Sequence, residues 1–302
     1  MATYFFVMYI ETMHVTGFTF IRNAVKFDYP VVEAIRSILP ICDDFIVAVG
    51  NSEDDTLSLI KTIVSPKIKI IETTWDESLR KGGSVLAVET DKAFRAISDK
   101  ADWCFYIQGD EVVHEKYLDI ILQSMLRWKN SPEVDGLLFK YLHFYGSYDY
   151  VATSSGWYKN EIRVIRNNKN IYSYRDAQGF RKDNNKRLKV KPIDAYIFHY
   201  GWVKPPLNMQ LKQLTFQKLW HSNDWVDKNV VKNDEFDYSG IDRLELFDES
   251  HPEVMNDRIQ RLNWVFTHDI SKNKINLKER VKDWMWRYLG INSNYRNYKV
   301  LK

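Results

Sequence analysis

The sequence predicts an α/β fold, a mostly parallel sheet flanked by helices with a helical region toward the C-terminus. Three observations predict it. Short apolar strands alternate with helical segments between Val15 and Ile107; a buried strand runs straight into the acidic turn Gln108-Gly109-Asp110-Glu111; and the alternation changes after residue 135, where strands precede a Trp-rich, charged helical stretch from Leu207 onward.

The elements follow in order. Val15–Ile21 reads as a strand, and Tyr29–Leu39 carries Val32, Ile35, Ile38 and Leu39 at helical spacing. Asp44–Val49 is a short apolar strand ending in the turn-forming run Gly50-Asn51-Ser52-Glu53-Asp54-Asp55. Thr56–Val64 is a helix with Leu57, Leu59, Ile60 and Ile63 on its apolar side, Lys67–Glu72 a strand, Gly83–Ser98 a helix and Trp103–Ile107 a strand. Strands separated by helices imply a parallel sheet covered on both faces, and such sheets bind ligands at the carboxyl ends of their strands. Both turns, 50–55 and 108–111, fall at that edge. Beyond residue 135, Gly136–Phe144, Glu161–Arg166 and Ala195–Tyr200 read as strands, with a polar aromatic loop between the first two and a loop at 234–252 in the helical region. The division expected is 15–205 as one catalytic domain, in halves 15–112 and 113–205, followed by a helical region over 206–302.

The composition narrows the classes. Apolar residues make up 45% and charged residues 27%, as in soluble globular chains, and a net charge of +3 gives no reason to expect a nucleic-acid partner. Positive charge is nonetheless dense from Lys159 to Lys191, and again from Lys272 to Lys302, where Trp284, Trp286, Tyr288, Tyr295 and Tyr298 interleave with it. Such faces attract phosphate on a nucleotide, a lipid carrier or a bilayer surface, and peripheral membrane contact is one expectation; a solvated basic face is the plainer alternative. Aromatic residues reach 15%, enough for sugar-stacking surfaces as well as a ring-rich core. Cys42 and Cys104 lie in apolar surroundings, which fits reduced thiols, a cytoplasmic location and neither a disulfide framework nor a zinc site. Met1–Ile10 is apolar but short and lacks a basic flank, so it reads as neither signal peptide nor spanning helix.

The acidic turn carries the chemistry. A buried strand, Trp103-Cys-Phe-Tyr-Ile, delivers the adjacent carboxylates Asp110 and Glu111 to the rim of the sheet. Mg²⁺ and Mn²⁺ take one or two protein carboxylates together with phosphate oxygens, so Asp110 is the candidate metal ligand, with Glu111 holding the site. An Asp-Glu pair after a strand also serves as a helix cap.

Several segments in order resemble glycosyltransferase family 2: Phe20-Ile-Arg-Asn23 on the first strand, the strand and turn from Asp44 to Thr56, the stretch from Trp75 to Asp91 with Lys81, Gly82 and Gly83, and Asp102 through Glu111. Over residues 15–205 the resemblance implies a GT-A fold with a Rossmann-like nucleotide-binding half, a nucleoside-diphosphate sugar as donor, and a divalent metal, Mn²⁺ or Mg²⁺. Carried over residue by residue, it implies Arg22, Asn51, Asp54, Lys81 and Gln108 toward the donor nucleotide. Two positions depart from the pattern. Gln108 stands where the family has the first Asp of Asp-x-Asp, and Gly50 or Asn51 where it has an Asp after the second strand.

In the second half, the run Glu161-Ile-Arg163-Val-Ile-Arg166-Asn167 and the stretch from Tyr172 to Asp176 resemble the family's arginine-rich strand and late acid. Asp176 is then the candidate general base, with Glu161 as rival, since inverting transfer needs a carboxylate to take the acceptor proton. Arg163 and Arg166, read as sharing a strand face, offer planar forks to phosphate or carboxylate. In Phe198-His199-Tyr-Gly-Trp202-Val-Lys204, His199 at a strand end is a second metal-ligand candidate, and Lys204 one for the diphosphate. His143 is a weaker functional candidate, and the His251–Met255 segment a structural one.

The function so implied is an inverting, metal-dependent hexosyltransferase of polysaccharide biosynthesis, moving a sugar to the hydroxyl of a glycan or lipid-linked acceptor. A non-catalytic glycan- or nucleotide-binding module on the same fold is the alternative, motivated by Gln108. A nucleotidyltransferase would show a Gly-rich phosphate loop near residues 15–25, and there is none.

Overall fold

The computed structural model describes residues 13–79, 81–229, 233–274 and 296–302, with 280–282, 284, 285 and 288. Met1–Ile10, Trp286 and Tyr295 lie outside them. The strands are β1 (Val15–Ile21), β2 (Asp44–Gly50), β3 (Ile68–Thr73), β4 (Trp103–Tyr106), β5 (Glu111–Val113), β6 (Gly136–Tyr145), β7 (Tyr150–Ala152), β8 (Asn160–Arg166), β9 (Ile171–Tyr174), β10 (Gly179–Lys182), β11 (Lys186–Trp202), β12 (Leu244–Leu246) and β13 (Tyr298–Val300). The helices longer than one turn are α1 (Val31–Ile38), α2 (Thr56–Lys61), α3 (Ser84–Arg95), α4 (Leu118–Trp128), α5 (Pro206–Lys218), α6 (Asn223–Asn229) and α7 (Asn256–Gln260).

The main sheet runs β3-β2-β1-β4-β8-β6-β11. Its first four strands are parallel; β8 is antiparallel to both neighbours, and β6 and β11 are parallel again. This is the mostly parallel sheet flanked by helices that the sequence predicts. Strand β2 shows why its sequence is an unbroken apolar run. Phe45, Val47 and Val49 face a core shared with α1, α2 and α4, while Ile46 and Ala48 face a second core under α3. A strand covered on both sides has no position left for a polar residue.

Several elements were not predicted. β11 spans 17 residues rather than Ala195–Tyr200, because its first half alternates exposed Lys186, Arg187 and Lys189 with buried Leu188 and Val190. The basic run there is the outer face of a strand. Helix α4 buries Ile121 and Met125 against the sheet. The helical region expected after residue 206 is present in α5 and α6, while the described residues past 233 are mostly loop and add β12 to β7 and β13 to β11. No helix among the described residues is long and apolar enough to cross a membrane.

The acidic turn and β5 are tied to the central strand β8 by one buried ion pair. Arg163 on β8 donates from Nε and Nη2 to the two oxygens of Glu111, at 2.7 and 2.6 Å. Tyr141 Oη and the Gln108 backbone N–H donate to the same carboxylate at 2.8 and 3.1 Å. Glu111 is wholly buried and Arg163 nearly so, with the guanidinium near the rings of Tyr106 and Tyr141. Arg163 and Arg166 do not share a face: residues three apart on a strand point to opposite sides. Arg166 instead donates to the carbonyls of Trp128, Ser131 and Val134 and lies over the Trp103 ring. Both arginines are occupied structurally.

Glu111→Gln leaves the Arg163 charge buried without its counter-charge and is expected to cost about 3–5 kcal/mol of unfolding free energy. Urea denaturation of the two proteins measures it, and a loss below about 1 kcal/mol would show that the pair does not hold the fold.

Candidate active site at the carboxyl edge of the sheet

Because β1 to β4 are parallel, their carboxyl ends share one edge, and the turns at 50–55 and 108–111 both emerge there. Strand β5 then turns back and pairs antiparallel with β11, setting Glu111 opposite His199. The preceding residue, Asp110, comes to lie beside the His199 ring, with Oδ2 at 3.8 Å from Nε2. The register of β11 on β6 shifts between His199 and Trp202, the kind of bulge that re-aims side chains at a sheet edge. Gly201 falls within it. A Cβ there would stand 2.6 Å from His199 Nε2 and 2.8 Å from Asp110 Oδ2. Glycine therefore lets the backbone pack closely against both side chains, where any larger residue would displace one of them.

The electrostatics leave one side chain charged and the other neutral. Burial would raise the Asp110 pKa, but the Lys212 ammonium at 3.2 Å, together with His199 and Lys204, outweighs it and holds the carboxyl well below the usual carboxylate range. Burial pushes the His199 ring down to about 4 against the opposing pull of Asp110, which leaves it neutral. An ionised carboxylate and a neutral imidazole whose facing atoms lie 3.8 Å apart, both lining an open cleft, fit Mn²⁺ or Mg²⁺. No group of three or more His, Cys, Asp or Glu suited to a metal occurs among the described residues, so further ligands would be phosphate oxygens and water, as such ions usually have.

Around this pair lies a cleft of about 440 Å³, whose lining includes Gln108, Asp110, Asp176, His199, Trp202 and Lys212. A second cleft of about 340 Å³ adjoins it, sharing Arg22, Tyr29, Trp75 and Phe216 and adding Phe27 and Glu53.

Of the residues expected toward a donor, Arg22 lines both clefts, with its guanidinium near the Trp75 ring and Nε donating to Asn51 O. Gln108 lines the larger cleft. Asn51 does not line either, and its Oδ1 instead accepts from the Trp75 N–H. Asp54 is taken up by the turn, accepting from the backbone N–H groups of Lys26 and Thr56. Lys204 is fully buried away from the clefts, donating to Asp28 O at 2.8 Å, and burial pushes its pKa well below the usual lysine range. The side chain of Lys81 lies outside those described.

The two acids differ in the same way. Asp176 lines the larger cleft, and burial raises its pKa. Glu161 does not line it. Its carboxyl is packed under Gly179 of β10, where burial pushes it up to about 8. Asp176 sits between Arg175 and Ala177, both in the left-handed region at φ 59° and 62°. Non-glycine residues there cost about 1–2 kcal/mol each, so the loop needs outside support. Gln108 supplies some: its Nε2 donates to Ala177 O at 3.2 Å, which a carboxylate in that position could not do. The departure at 108 has this structural consequence. Gly83, at the start of α3, packs within 3.0 Å of Asp176 Cβ when given a Cβ.

Lys212 escaped the sequence reading. It sits mid-helix in α5, which has no clean apolar stripe and lines the cleft with one side; that missing stripe is the signal the sequence holds. His143, read as a weaker candidate, touches His199, with their Nδ1 atoms 3.1 Å apart. His251 is structural as expected, bonded to Tyr200 Oη and Tyr148 O.

No family model and no curated protein matches the chain. Among solved structures, the match to TarS of S. aureus covers 68% of this chain and 39% of that one, at 12% identity and a TM-score of 0.39. A 4-diphosphocytidyl-2C-methyl-D-erythritol synthase from Anaerococcus prevotii is matched over 68% of this chain and 95% of its own, at 11% and 0.36. Glucosyl-3-phosphoglycerate synthase from Mycobacterium tuberculosis, solved with Mn²⁺, uridine diphosphate and phosphoglyceric acid, is matched over 43% of each chain, at 18% and 0.29. The chain thus spans about two fifths of TarS and of the mycobacterial synthase. Likenesses this slight carry no argument about function, which rests on the cleft itself.

Gly201→Ala tests how tight that cleft is. The added methyl has to displace His199 or Asp110, and the expected cost is about 1–3 kcal/mol in chemical denaturation. Unchanged stability would show that the bulge does not pack tightly on His199 and Asp110.

Proposed function

We propose that this chain is a glycosyltransferase that moves a sugar from a nucleoside-diphosphate donor to an acceptor hydroxyl, with a divalent cation held by Asp110 and His199. The observation that carries the reading is an ionised carboxylate and a neutral imidazole 3.8 Å apart in one cleft, at the ligand-binding edge of a parallel sheet. A bound cation would there neutralise charge on the leaving diphosphate.

The protein's own groups divide the work. The smaller cleft, with the Trp75 ring and the Arg22 guanidinium, suits a flat base and its ribose; we assign the nucleoside to it. The diphosphate then reaches Asp110 and Lys212, whose ammonium offers a second positive charge. The sugar occupies the rest of the larger cleft, where Trp202 and Trp220 offer ring faces. Asp176 is the group we assign to take the acceptor proton, and its raised pKa suits a base that must hold that proton in the transition state. Residues 15–112 form the donor half in this reading and 113–205 the acceptor half. The acceptor class, glycan or lipid-linked, follows only from the resemblance.

A second reading, a binding module without turnover, is favoured by Lys212 itself. An ammonium 3.2 Å from Asp110 Oδ2 already compensates the carboxylate without a metal.

Thermal melts with a panel of nucleoside diphosphates separate the two. A ligand at a hundred times its Kd should add about 2.7 kcal/mol to wild-type stability. The transferase reading expects one diphosphate to do so only with Mn²⁺, and Asp110→Ala to lose the response. A response independent of Mn²⁺, without donor hydrolysis, would favour the binding module, and no response at all would sink the donor site.

Asp176→Asn is expected to lower kcat by about 10²- to 10⁴-fold while leaving the nucleotide-dependent melt intact. The base acts deprotonated and its pKa is raised, so wild-type activity should fall with decreasing pH through a midpoint above the ordinary aspartate value. A pH-independent rate down to the ordinary value, or an active Asn variant, would remove Asp176 from this role.

A further inference from the structure

His143 is buried at the back of His199, facing away from Asp110. It is 2% exposed, and its ring is held by Tyr141, Trp157 and Tyr158 at centroid distances of 5.5, 5.1 and 4.4 Å. Its Nε2 lies 2.7 Å from the backbone carbonyl of Tyr158, and its Nδ1 lies 3.1 Å from Nδ1 of His199. A carbonyl oxygen only accepts, so Nε2 of His143 carries a hydrogen. Burial among three aromatic rings, with no carboxylate among the described residues bonded to it, disfavours a charged ring; the neutral imidazole has one N–H and one lone pair, which leaves Nδ1 of His143 as an acceptor. The short contact between the two Nδ1 atoms then requires the hydrogen to come from His199. Once His199 carries its proton on Nδ1, its Nε2 presents a lone pair toward Asp110 Oδ2.

We propose that His143 is a positioning residue for the metal site: through the Tyr158 carbonyl and the contact between the Nδ1 atoms, it selects the His199 tautomer whose Nε2 can bind a cation. The inference rests on the metal-dependent reading above and adds to it the element that orients the ligand. The register of the sheet supplies the geometry, since His143 on β6 is paired directly with His199 on β11 and Tyr158 precedes β8 on the other side of β6. Outer partners of metal-bound histidines typically change metal affinity by about 10- to 100-fold when removed.

The test uses the full-length protein and two readouts. In metal-free protein labelled with ¹⁵N-histidine, long-range ¹H–¹⁵N spectra should show hydrogen on Nε2 of His143 and on Nδ1 of His199. A hydrogen on Nε2 of His199 overturns the proposal, whatever the metal does. The second readout is the affinity for Mn²⁺ alone, from the electron paramagnetic resonance signal of the free ion. His143→Phe, which keeps a ring but no nitrogen, should weaken Mn²⁺ binding by about 10- to 100-fold. His143→Gln, whose amide can both accept from His199 and donate to Tyr158, should lose less. A His143→Phe protein that melts normally and matches wild-type affinity overturns the role of His143 alone. Wild type that binds no Mn²⁺ overturns the metal-dependent reading and the proposal with it. Should His143→Phe fail to fold, the wild-type spectrum and the Gln variant still decide the matter.

Discussion

The buried pair between Glu111 and Arg163 is the constraint on which the rest of the site depends. Removing two charges from water is costly, and the cost is offset only where the geometry satisfies every oxygen. Here Arg163, Tyr141 and the Gln108 N–H bring four hydrogen bonds to one carboxylate. That requirement sets the conformation of the 108–111 turn. It also presents β5 to β11 in the register that brings Asp110 beside His199. A pair of this kind is a poor source of net stability but a strong selector of one arrangement, because a slipped register would leave both charges buried alone.

The cleft combines a rigid wall and a more weakly supported one. His199 and Gly201 belong to β11, and Asp110 to the turn that leads directly into β5, so their positions follow from strand pairing. Asp176 belongs to a loop with two non-glycine residues in the left-handed region, held in part by the Gln108 amide. Across both lies α5, contributing Lys212 and the Phe216 ring. The adjacent carboxylates of the acidic turn therefore have separate tasks. Glu111 is consumed in structure, and Asp110 is left ionised at the cleft beside Lys212.

Much of the fold was legible in the chain. Val15–Ile21 is the strand expected, and β2, β3, α2 and α3 begin or end within a few residues of the predicted positions, because strands covered on both faces show as apolar runs between turn residues. The early part of β11 was not legible: a half-exposed strand with lysine at alternate positions looks like a basic surface segment until its partner is known. Among site candidates, Asp110, His199, Asp176, Gln108 and Arg22 come together in the cleft, while Glu161, Asn51, Asp54 and Lys204 do not line it. Lys204 looks like Lys212 by composition. What separates them is that one ends against the Asp28 carbonyl and the other beside the Asp110 carboxylate.

The sequence by itself determined the order of strands and helices and the delivery of an acidic turn to the carboxyl edge, since hydrophobic period and turn residues are local properties of the chain. Only the tertiary structure decided which carboxylate is spent on Arg163, which lysine reaches Asp110, and which nitrogen of His199 faces it. Those outcomes depend on register between strands far apart in sequence, and a residue's protonation and partners are set by neighbours that no local pattern names.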